Sequence, residues 1–215
     1  IRALEALKAY GFPVVPYKLA PTADEAVAAS DEMGYPVVMK IVGPKILHKT
    51  DVGGAQLDLR DGPAVRAAYE TMIQTVRSRL GNDVEIWGVL MQKMMDRGKE
   101  VILGVTRDNR FGPVLMVGLG GIYTEILKDV SFRLAPIREN EAEEMIREIR
   151  TIKLLQGARG EPPSDLGAVA ECLLRLSQFV TDHPNIHELD INPLLVYPRG
   201  KGAVVADARI ILSTE

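Results

Sequence analysis

Helix-like and strand-like segments alternate along this chain without settling into a strict βαβ repeat, and that alternation constrains its fold more than any other feature. The opening "IRALEALKAYG" has helical periodicity and stops at Gly11, which suits the residue just past a helix end. "TADEAVAASDEMG" places Thr22 and Glu25 at capping-box spacing and stops at Gly34. A strand "PVVMKI", a glycine-rich loop, a strand "AQLDL" and a long helix from about 61 to 80 follow. Next, "VEIWGVLMQKMM" and "KEVILGV" read as strands, "RDNRFG" as a turn, and "PVLMVGLGG" as a strand running into glycines. Helices are expected over about 138–150 and 165–182, separated by the turn-rich "GARGEPPSDLG". The end, "IHELDINPLLVYPRGKGAVVADARIIL", suggests two strands joined by "RGKG". The expected architecture is α/β (α+β), with a smaller lobe over about 15–90 and a strand-rich second lobe over about 91–215.

With 215 residues, 47% of them hydrophobic and 26% charged, the chain can bury an ordinary core. A net charge of −3 gives no broad cationic surface, so nucleic acid is not an expected partner. No apolar run reaches the roughly 20 residues that span a bilayer, and no secretory segment opens the chain, so a cytoplasmic protein with no membrane partner is the default expectation. The one cysteine, Cys172, lies in the helical run "GAVAECLLRLSQFV" and reads as a small buried residue. The chain opens at Ile1 inside a helical pattern, as expected of a fragment or processed piece.

"GPKILHKTDVGG", residues 43–54, packs one histidine, two lysines and three glycines into twelve positions after Lys40 at the end of an apolar strand. Cations and exposed backbone N–H groups suit phosphate oxygens, although no Walker A spacing occurs and a solvated hairpin tip fits the same residues. In "HELDINPLLVY" the two-residue strand period sends Glu188, Asp190 and Asn192 to one face, with Leu189, Ile191 and Leu194 free to pack elsewhere. Asp207 adds another oxygen if the "RGKG" turn makes a hairpin. Oxygen ligands with spare positions suit Mg2+, and solvent-facing polar residues of a half-exposed sheet remain the alternative. In "VLMQKMMDRGKEVILGV", main-chain groups from Gln92 to Met94 beside Met91, Met94 and Met95 can form an apolar slot with an adenine-binding edge, or those methionines are core. Glu100 is placed to accept from ribose hydroxyls, or is an exposed strand-end glutamate.

Taken in order, "PVVMKI…LHKTDVGG", "VLMQKMMDRGKEVILGVTRDNRFGPVLMVGLGGIYTEILKDVSFRLAPI" and "ELDINPLLV…ADARI" resemble the ATP-grasp domain of nucleoside-diphosphate-forming acyl-CoA synthetases over essentially the whole chain. The nearest resemblance is to the β subunit or domain of ADP-forming acetyl-CoA synthetase, a relative of the succinyl-CoA synthetase β subunit. It implies an ATP-grasp fold of two lobes holding ATP or ADP with Mg2+. It makes Lys40 a ligand of the phosphates and the loop around His48 and Lys49 a flap over them. Gln92, with Lys93 and Met94, falls at the adenine edge, and Glu100 at the ribose. Asn192 and Asp207 match the metal ligands, with Asp190 in the acidic position beside them. "GLGGIYTE" and "DVSFR" match the phosphate side of the cleft, where Gly118, Gly120 and Gly121 admit close backbone approach and Glu125 and Arg133 supply charge; a tight turn and a surface ion pair is the other reading. Lys93 departs from close relatives, many of which carry glutamate there, so its side chain has no assigned contact.

The family's reaction is acyl-CoA + ADP + phosphate ⇌ acid + CoA + ATP, with a histidine of a partner CoA-binding α subunit or domain phosphorylated on the way. His48 is a candidate carrier of that phosphoryl group; His183 and His187 read as structural. The chain lacks a CoA-binding fold and is expected to be half of a synthetase, with its partner in the same polypeptide or a separate one. The other function compatible with the resemblance is a regulatory synthetase-like domain of a bacterial protein-lysine acetyltransferase. The presence of Lys40, His48, Glu100, Asn192 and Asp207 together favours the enzyme.

Overall fold

The structure, a computed structural model, describes residues 1–44, 46, 52–121, 129–157 and 160–213. The chain divides into two compact units, Val15–Asp96 and Ile1–Val14 with Arg97–Glu215. The first fourteen residues, which the sequence expectation placed in neither lobe, thus belong to the larger unit. Their helix α1 (Arg2–Ala9) buries Leu4 and Leu7, and the chain leaves it at Gly11, φ +79°. A side chain at Gly11 would collide with Arg175, whose guanidinium donates to the carbonyls of Tyr10 and Gly11 and satisfies that helix end.

In the smaller unit a four-stranded antiparallel sheet runs in the order β1-β4-β2-β3, from β1 (Tyr17–Ala20), β2 (Val37–Val42), β3 (Ala55–Leu59) and β4 (Gly88–Lys93). Helices α2 (Ala23–Met33) and α3 (Gly62–Leu80) cover one face, and Val37, Met39, Ile41, Val89 and Met91 pack with Ala26, Ala29, Val65, Met72 and Val76 as its core. Thr22 caps α2 as its spacing to Glu25 predicts, the Oγ1 accepting from the Glu25 N–H at 3.3 Å. Asp61 does the same for α3, accepting from the Ala64 N–H at 2.8 Å. The strand expected over "VEIWGVLMQKMM" is shorter than its apolar run. It starts at Gly88, φ +126°, where a Cβ would lie 2.4 Å from the Ala20 carbonyl oxygen. Strand β1 was not expected: four residues at the sheet edge bury only Ala20, which leaves no period to see.

The larger unit holds a six-stranded antiparallel sheet, ordered β10-β8-β5-β6-β7 with β9 on β8. Its strands are β5 (Lys99–Asp108), β6 (Gly112–Leu119), β7 (Val130–Leu134), β8 (Ile186–Val196), β9 (Ala203–Val205) and β10 (Ala208–Leu212). Arg107 and Asp108, expected in a turn, extend β5, and the edge strand β7 was not expected as a strand. Helices α4 (Glu139–Glu148) and α5 (Leu166–Asp182) supply Met145, Ile146, Leu173, Leu176 and Val180 to the core. Cys172 is buried within α5, and desolvation pushes its thiol up to about 12, which makes it inert. No helix among the described residues is long and apolar enough to cross a membrane.

The terminal hairpin is built as expected, with one interruption. β9 and β10 pair with β8 in one register from Ala203 to Ile211, Leu194 opposite Val205 and Ile191 opposite Ala208, interrupted at Ala206 and Asp207 and shifting only at Leu212. Asp165 anchors the turn. Its Oδ1 caps α5 by accepting from the Ala168 N–H at 3.2 Å, and its Oδ2 accepts from the N–H groups of Gly200 and Gly202 at 2.8 and 3.0 Å. Burial raises this carboxyl, but the bonds from Gly202, Ala168 and Gly200 outweigh it and hold the acid below its ordinary range. Asp165→Ala is therefore expected to lower stability by about 2 kcal/mol at neutral pH in urea titration. Because the folded value is depressed, this contribution is complete above the unfolded value of about 4 and disappears as pH falls through the folded one. The gap between wild type and variant should accordingly close in acid.

Candidate functional site

Residues directly opposite each other in an antiparallel pair share a face, and neighbours along a strand take opposite faces. That rule sorts the candidate residues. In the smaller unit Lys40 stands opposite Leu90, and Val38 opposite Gln92, while Met39 stands opposite Met91 and Val37 opposite Lys93. The second set is the face packed by α2 and α3, so Lys40 and Gln92 share the other face. Gln92 is buried and Lys40 half-buried.

Two points left open by the sequence are narrowed here. Met91 is core against the helices rather than the wall of a base-binding slot. Lys93 points to the helix face, where its Nζ donates to the carbonyls of Gly34 at 2.9 Å and Tyr35 at 3.0 Å. It thereby supplies the cation that the last turn of α2 lacks. The main-chain donors of this segment are also engaged, Lys93 N–H with Pro16 O at 3.0 Å and Met94 N–H with Pro36 O at 3.1 Å. The adenine edge expected here therefore cannot draw on the main-chain donors of Lys93 and Met94.

In the larger unit the helix-packed face carries the row Leu189, Val105, Leu115 and Arg133, and the row Ile191, Leu103, Val117 and Ser131. The opposite face carries Asp190, Gly104, Met116 and Phe132, with Glu188 and Asn192 at the alternating positions of β8. Asn192 and Pro193 form a bulge opposite Ile102, as bulges beside functional sites commonly do. The register brings Asn192 opposite Asp207, and the Asn192 N–H donates to the Asp207 carbonyl at 3.1 Å. Two oxygen-bearing side chains thus rise from facing backbone positions, with Cβ atoms about 5 Å apart in such pairs. That set suits a hard cation that completes its shell with water and phosphate.

Asp207 Oδ1 accepts from the Ala208 N–H at 2.9 Å, and Asp190, beside this pair, is engaged as well. Arg209, opposite it on β10, donates from Nη2 at 2.7 Å and from Nε at 3.2 Å to Asp190 Oδ2, and this bond raises the guanidinium's pKa. Among the described residues no group of three or more His, Cys, Asp or Glu side chains is arranged to hold a metal. Arg209 lay outside the residues expected to matter; its place two residues after Asp207 was the available signal.

Glu100 joins the expected glycines. The Gly120 N–H donates to its carbonyl at 2.7 Å, and Glu100, Gly120, Gly121, Lys99 and Leu154 line a cavity of about 300 Å³. A Cβ at Gly120 would lie 2.9 Å from the Glu100 Cβ, and one at Gly118 2.9 Å from the Asp129 carbonyl, so these glycines accommodate neighbouring strands. A larger apolar cavity of about 480 Å³ beside α1 and the end of α5 contains none of the expected site residues. Arg133, expected to supply charge to a phosphate, sits on the helix-packed face and pairs with Glu148, donating from Nη1 at 3.0 Å and from Nη2 as well. The Glu148 bond raises the Arg133 pKa, while Arg133, then Ser131, hold Glu148 low. Arg133 is therefore in an ion pair, with Glu148 as its partner. His48, Lys49 and Glu125 lie outside the described residues.

A family profile described as "ATP-grasp domain" matches residues 1–212. The chain is 47% identical over 98% of its length to the β subunit of acetate–CoA ligase [ADP-forming] I of Pyrococcus furiosus, and covers 89% of it. It is 49% identical over 96% of its length to the 4-hydroxybutyrate–CoA ligase [ADP-forming] of Nitrosopumilus maritimus, but spans only 29% of that longer protein. Among solved structures it is similar to the acetyl-coenzyme A synthetase 1 of Ca. Korarchaeum cryptofilum. The form in complex with coenzyme A, Ca-AMPCP and HgCl+ matches with a TM-score of 0.94 at 45% identity, covering 98% of this chain and 91% of that one. A complex of that synthetase with coenzyme A and Mg-AMPPCP, its phosphohistidine segment pointing towards the nucleotide binding site, matches at 0.85 and 42%, covering 98% and 90%.

The contacts of Lys93 separate a structural from a ligand-binding side chain. Lys93→Met should lower stability by about 1–2 kcal/mol in chemical denaturation, since two carbonyls lose a charged donor. Calorimetry on the folded variant should return the wild-type nucleotide affinity. A tenfold weaker affinity at unchanged stability would make Lys93 a nucleotide contact after all.

Proposed function

The chain belongs to the ATP-grasp family, in the group that includes the β subunits of ADP-forming acetate–CoA ligases, and from that premise we propose that it is the nucleotide-handling part of an ADP-forming acyl-CoA synthetase. The overall change is acyl-CoA + ADP + phosphate ⇌ acid + CoA + ATP. A CoA-binding subunit or domain, fused or separate, carries the acyl chemistry and the histidine whose phosphoryl group is passed to ADP. The chain spans about 30% of the fused relatives, which leaves room in them for such a partner.

One observation carries this reading: Asn192 held opposite Asp207 by the hairpin register and by a main-chain bond. A degraded, purely regulatory copy has no need to keep that pair. Phosphoryl transfer asks for positioning and charge neutralisation more than for covalent help. Asn192 and Asp207 would hold Mg2+, which when bound neutralises phosphate charge. Lys40 supplies a fixed ammonium on its face of the smaller sheet for the phosphates, and Gln92, one residue from the end of β4's pairing with β2, offers both an amide donor and an acceptor to a purine edge. Glu100, exposed at the mouth of its cavity, accepts from ribose hydroxyls. His48, in the basic stretch 43–54, takes the phosphoryl group from the partner's histidine as a neutral nucleophile and passes it to ADP.

Replacing Asp207 by Asn should leave folding near wild type and reduce Mg2+-dependent turnover of the complete synthetase by roughly 10²-fold. Turnover unchanged across Mg2+ concentrations would remove Asp207 from the site. For His48, incubation of the complete enzyme with γ-labelled ATP followed by peptide mapping should place an acid-labile label on the peptide containing residue 48. Phosphoryl transfer at the wild-type rate in His48→Ala would exclude an obligatory relay.

A further inference from the structure

The face of the larger sheet that carries Asp190 and Asn192 is charged along one side and apolar along the other. The register sets Phe132, Met116, Gly104 and Asp190 in one row, and Val130, Gly118 and Ile102 in a second row that ends at the Asn192–Pro193 bulge. A third row runs from Leu134 through Val114 and Thr106 to Glu188. Gly104 makes the first row continuous: a Cβ there would lie 2.9 Å from the Met116 Cε and 3.8 Å from Asp190 Oδ1, so the end of the methionine fills that space beside the acid. Phe132 and Leu134 nevertheless stand 53% and 50% exposed, Val114 and Met116 beside them are half-buried, and Phe111, in the hairpin joining β5 to β6, is 69% exposed. Single apolar residues at a surface need no explanation, but a contiguous group on one face marks a contact. Nor is this margin guarded by outward charges as sheet edges usually are. Among the described residues β7 is the last strand of the sheet, and its one charge, Arg133, is turned to the helix-packed face and paired with Glu148.

The position of the patch limits what can cover it. Phe132 lies three strands from Asp190, about 14 Å at the usual strand spacing. A protein interface of ordinary size occupies about 800 Å² on each partner, roughly 30 Å across, so a protein seated on Phe132 also reaches Asp190 and Asn192. A second copy of this chain would there obstruct the nucleotide site in each copy. A protein that has to be at that site during turnover obstructs nothing. In the reading given above the CoA-binding partner is such a protein, since its phosphohistidine gives up its phosphoryl group, directly or through His48, next to a nucleotide held on this face. We infer that Phe132 and Leu134, with Val114 and Met116, are the seat of the partner's phosphohistidine segment while it discharges: apolar side chains flanking that histidine rest on this margin and hold it beside the nucleotide. The inference rests on the nucleotide reading of the site. A few half-exposed apolar side chains suit a segment that must also leave again for the CoA side, because such a contact is small and readily broken.

Single turnovers of the complete synthetase test it. The partner's histidine is labelled either from γ-labelled ATP, a step that uses the seat, or from acetyl-CoA with labelled inorganic phosphate, which does not, and the label is mapped by peptide. Labelling from ATP should slow roughly tenfold in Phe132→Ser, and further when Leu134→Ser is added, as for truncation of a central interface residue. Labelling from acetyl-CoA and phosphate should keep its rate, Mg-ADP affinity by calorimetry should match wild type, and Phe132→Leu should retain most of the ATP-side rate. Leu134→Ser alone reads the same rates if Phe132→Ser does not fold. An ATP-side rate equal to wild type in the folded double variant would overturn the inference. So would equal slowing from both sides, which makes the patch a permanent contact between the two parts, and so would a loss of self-association at unchanged rates, which makes it an interface with a second copy. Mg-ADP binding weakened in proportion to the slowing would also overturn it, because Phe132 would then shape the nucleotide site itself. Failure of the nucleotide reading looks different: wild type would neither bind Mg-ADP nor label from ATP while labelling from acetyl-CoA persists, and the inference would fall with it.

Discussion

Among the described residues each sheet has helices on one face only, and the two-residue period of antiparallel strands turns that asymmetry into a sorting rule. Where a strand residue faces α2 and α3, or α4 and α5, it is mostly Val, Leu, Ile or Met, or else a polar or charged residue with a structural partner, as Ser131 has in Glu148. Lys93 ends on the carbonyls of Gly34 and Tyr35, and Arg133 on Glu148. Where it faces away, the chain places Lys40 and Gln92 in the smaller unit, and Asp190, Asn192 and Arg209 in the larger. Slipping β8 by one residue against β5 would exchange Leu189 and Ile191 for Asp190 and Asn192 in the core. The cost of burying a carboxylate and an amide fixes the register.

Basic side chains that reach across the fold to helix ends are the second recurring device. Arg175 closes α1 at Tyr10 and Gly11, Lys93 closes α2 at Gly34 and Tyr35, and Arg107 donates to Val180 O at 2.8 Å at the end of α5 and to Ile186 O at 2.9 Å at the start of β8. In each case orphan carbonyls meet a positive charge at the negative end of the helix dipole. The Arg107 contacts tie the end of α5 to the strand that carries Asp190 and Asn192, so the helix layer and the candidate cation site are held by one side chain. In a site that works by placing charge, such ties matter because small displacements of a fixed dipole are costly to catalysis.

Much of this was legible in the sequence wherever a feature is local or strictly periodic. Thr22 with Glu25 and Gly34 bound α2 because capping needs only neighbouring residues. The alternation of "HELDIN" placed acids opposite aliphatics because a strand's period is a property of the backbone. The order of motifs from Lys40 to Asp207 was enough to point to the ATP-grasp family and to name Asn192 and Asp207 as a pair. What the sequence could not contain is which partner each charge meets across the fold. Nothing near Lys93 announces the end of α2, which lies fifty-nine residues away. Nor does "DVSFR" reveal that its arginine turns to Glu148 on the helix-packed face. Edge strands β1 and β7 left too little apolar pattern to be read, since an edge buries little. Tertiary structure alone decided these matters, because the energy of a long-range charge pair depends on distances that only the packed chain defines. The candidate residues for phosphate, metal and base were set by the sequence; which face each takes and which partners it meets were set by the fold.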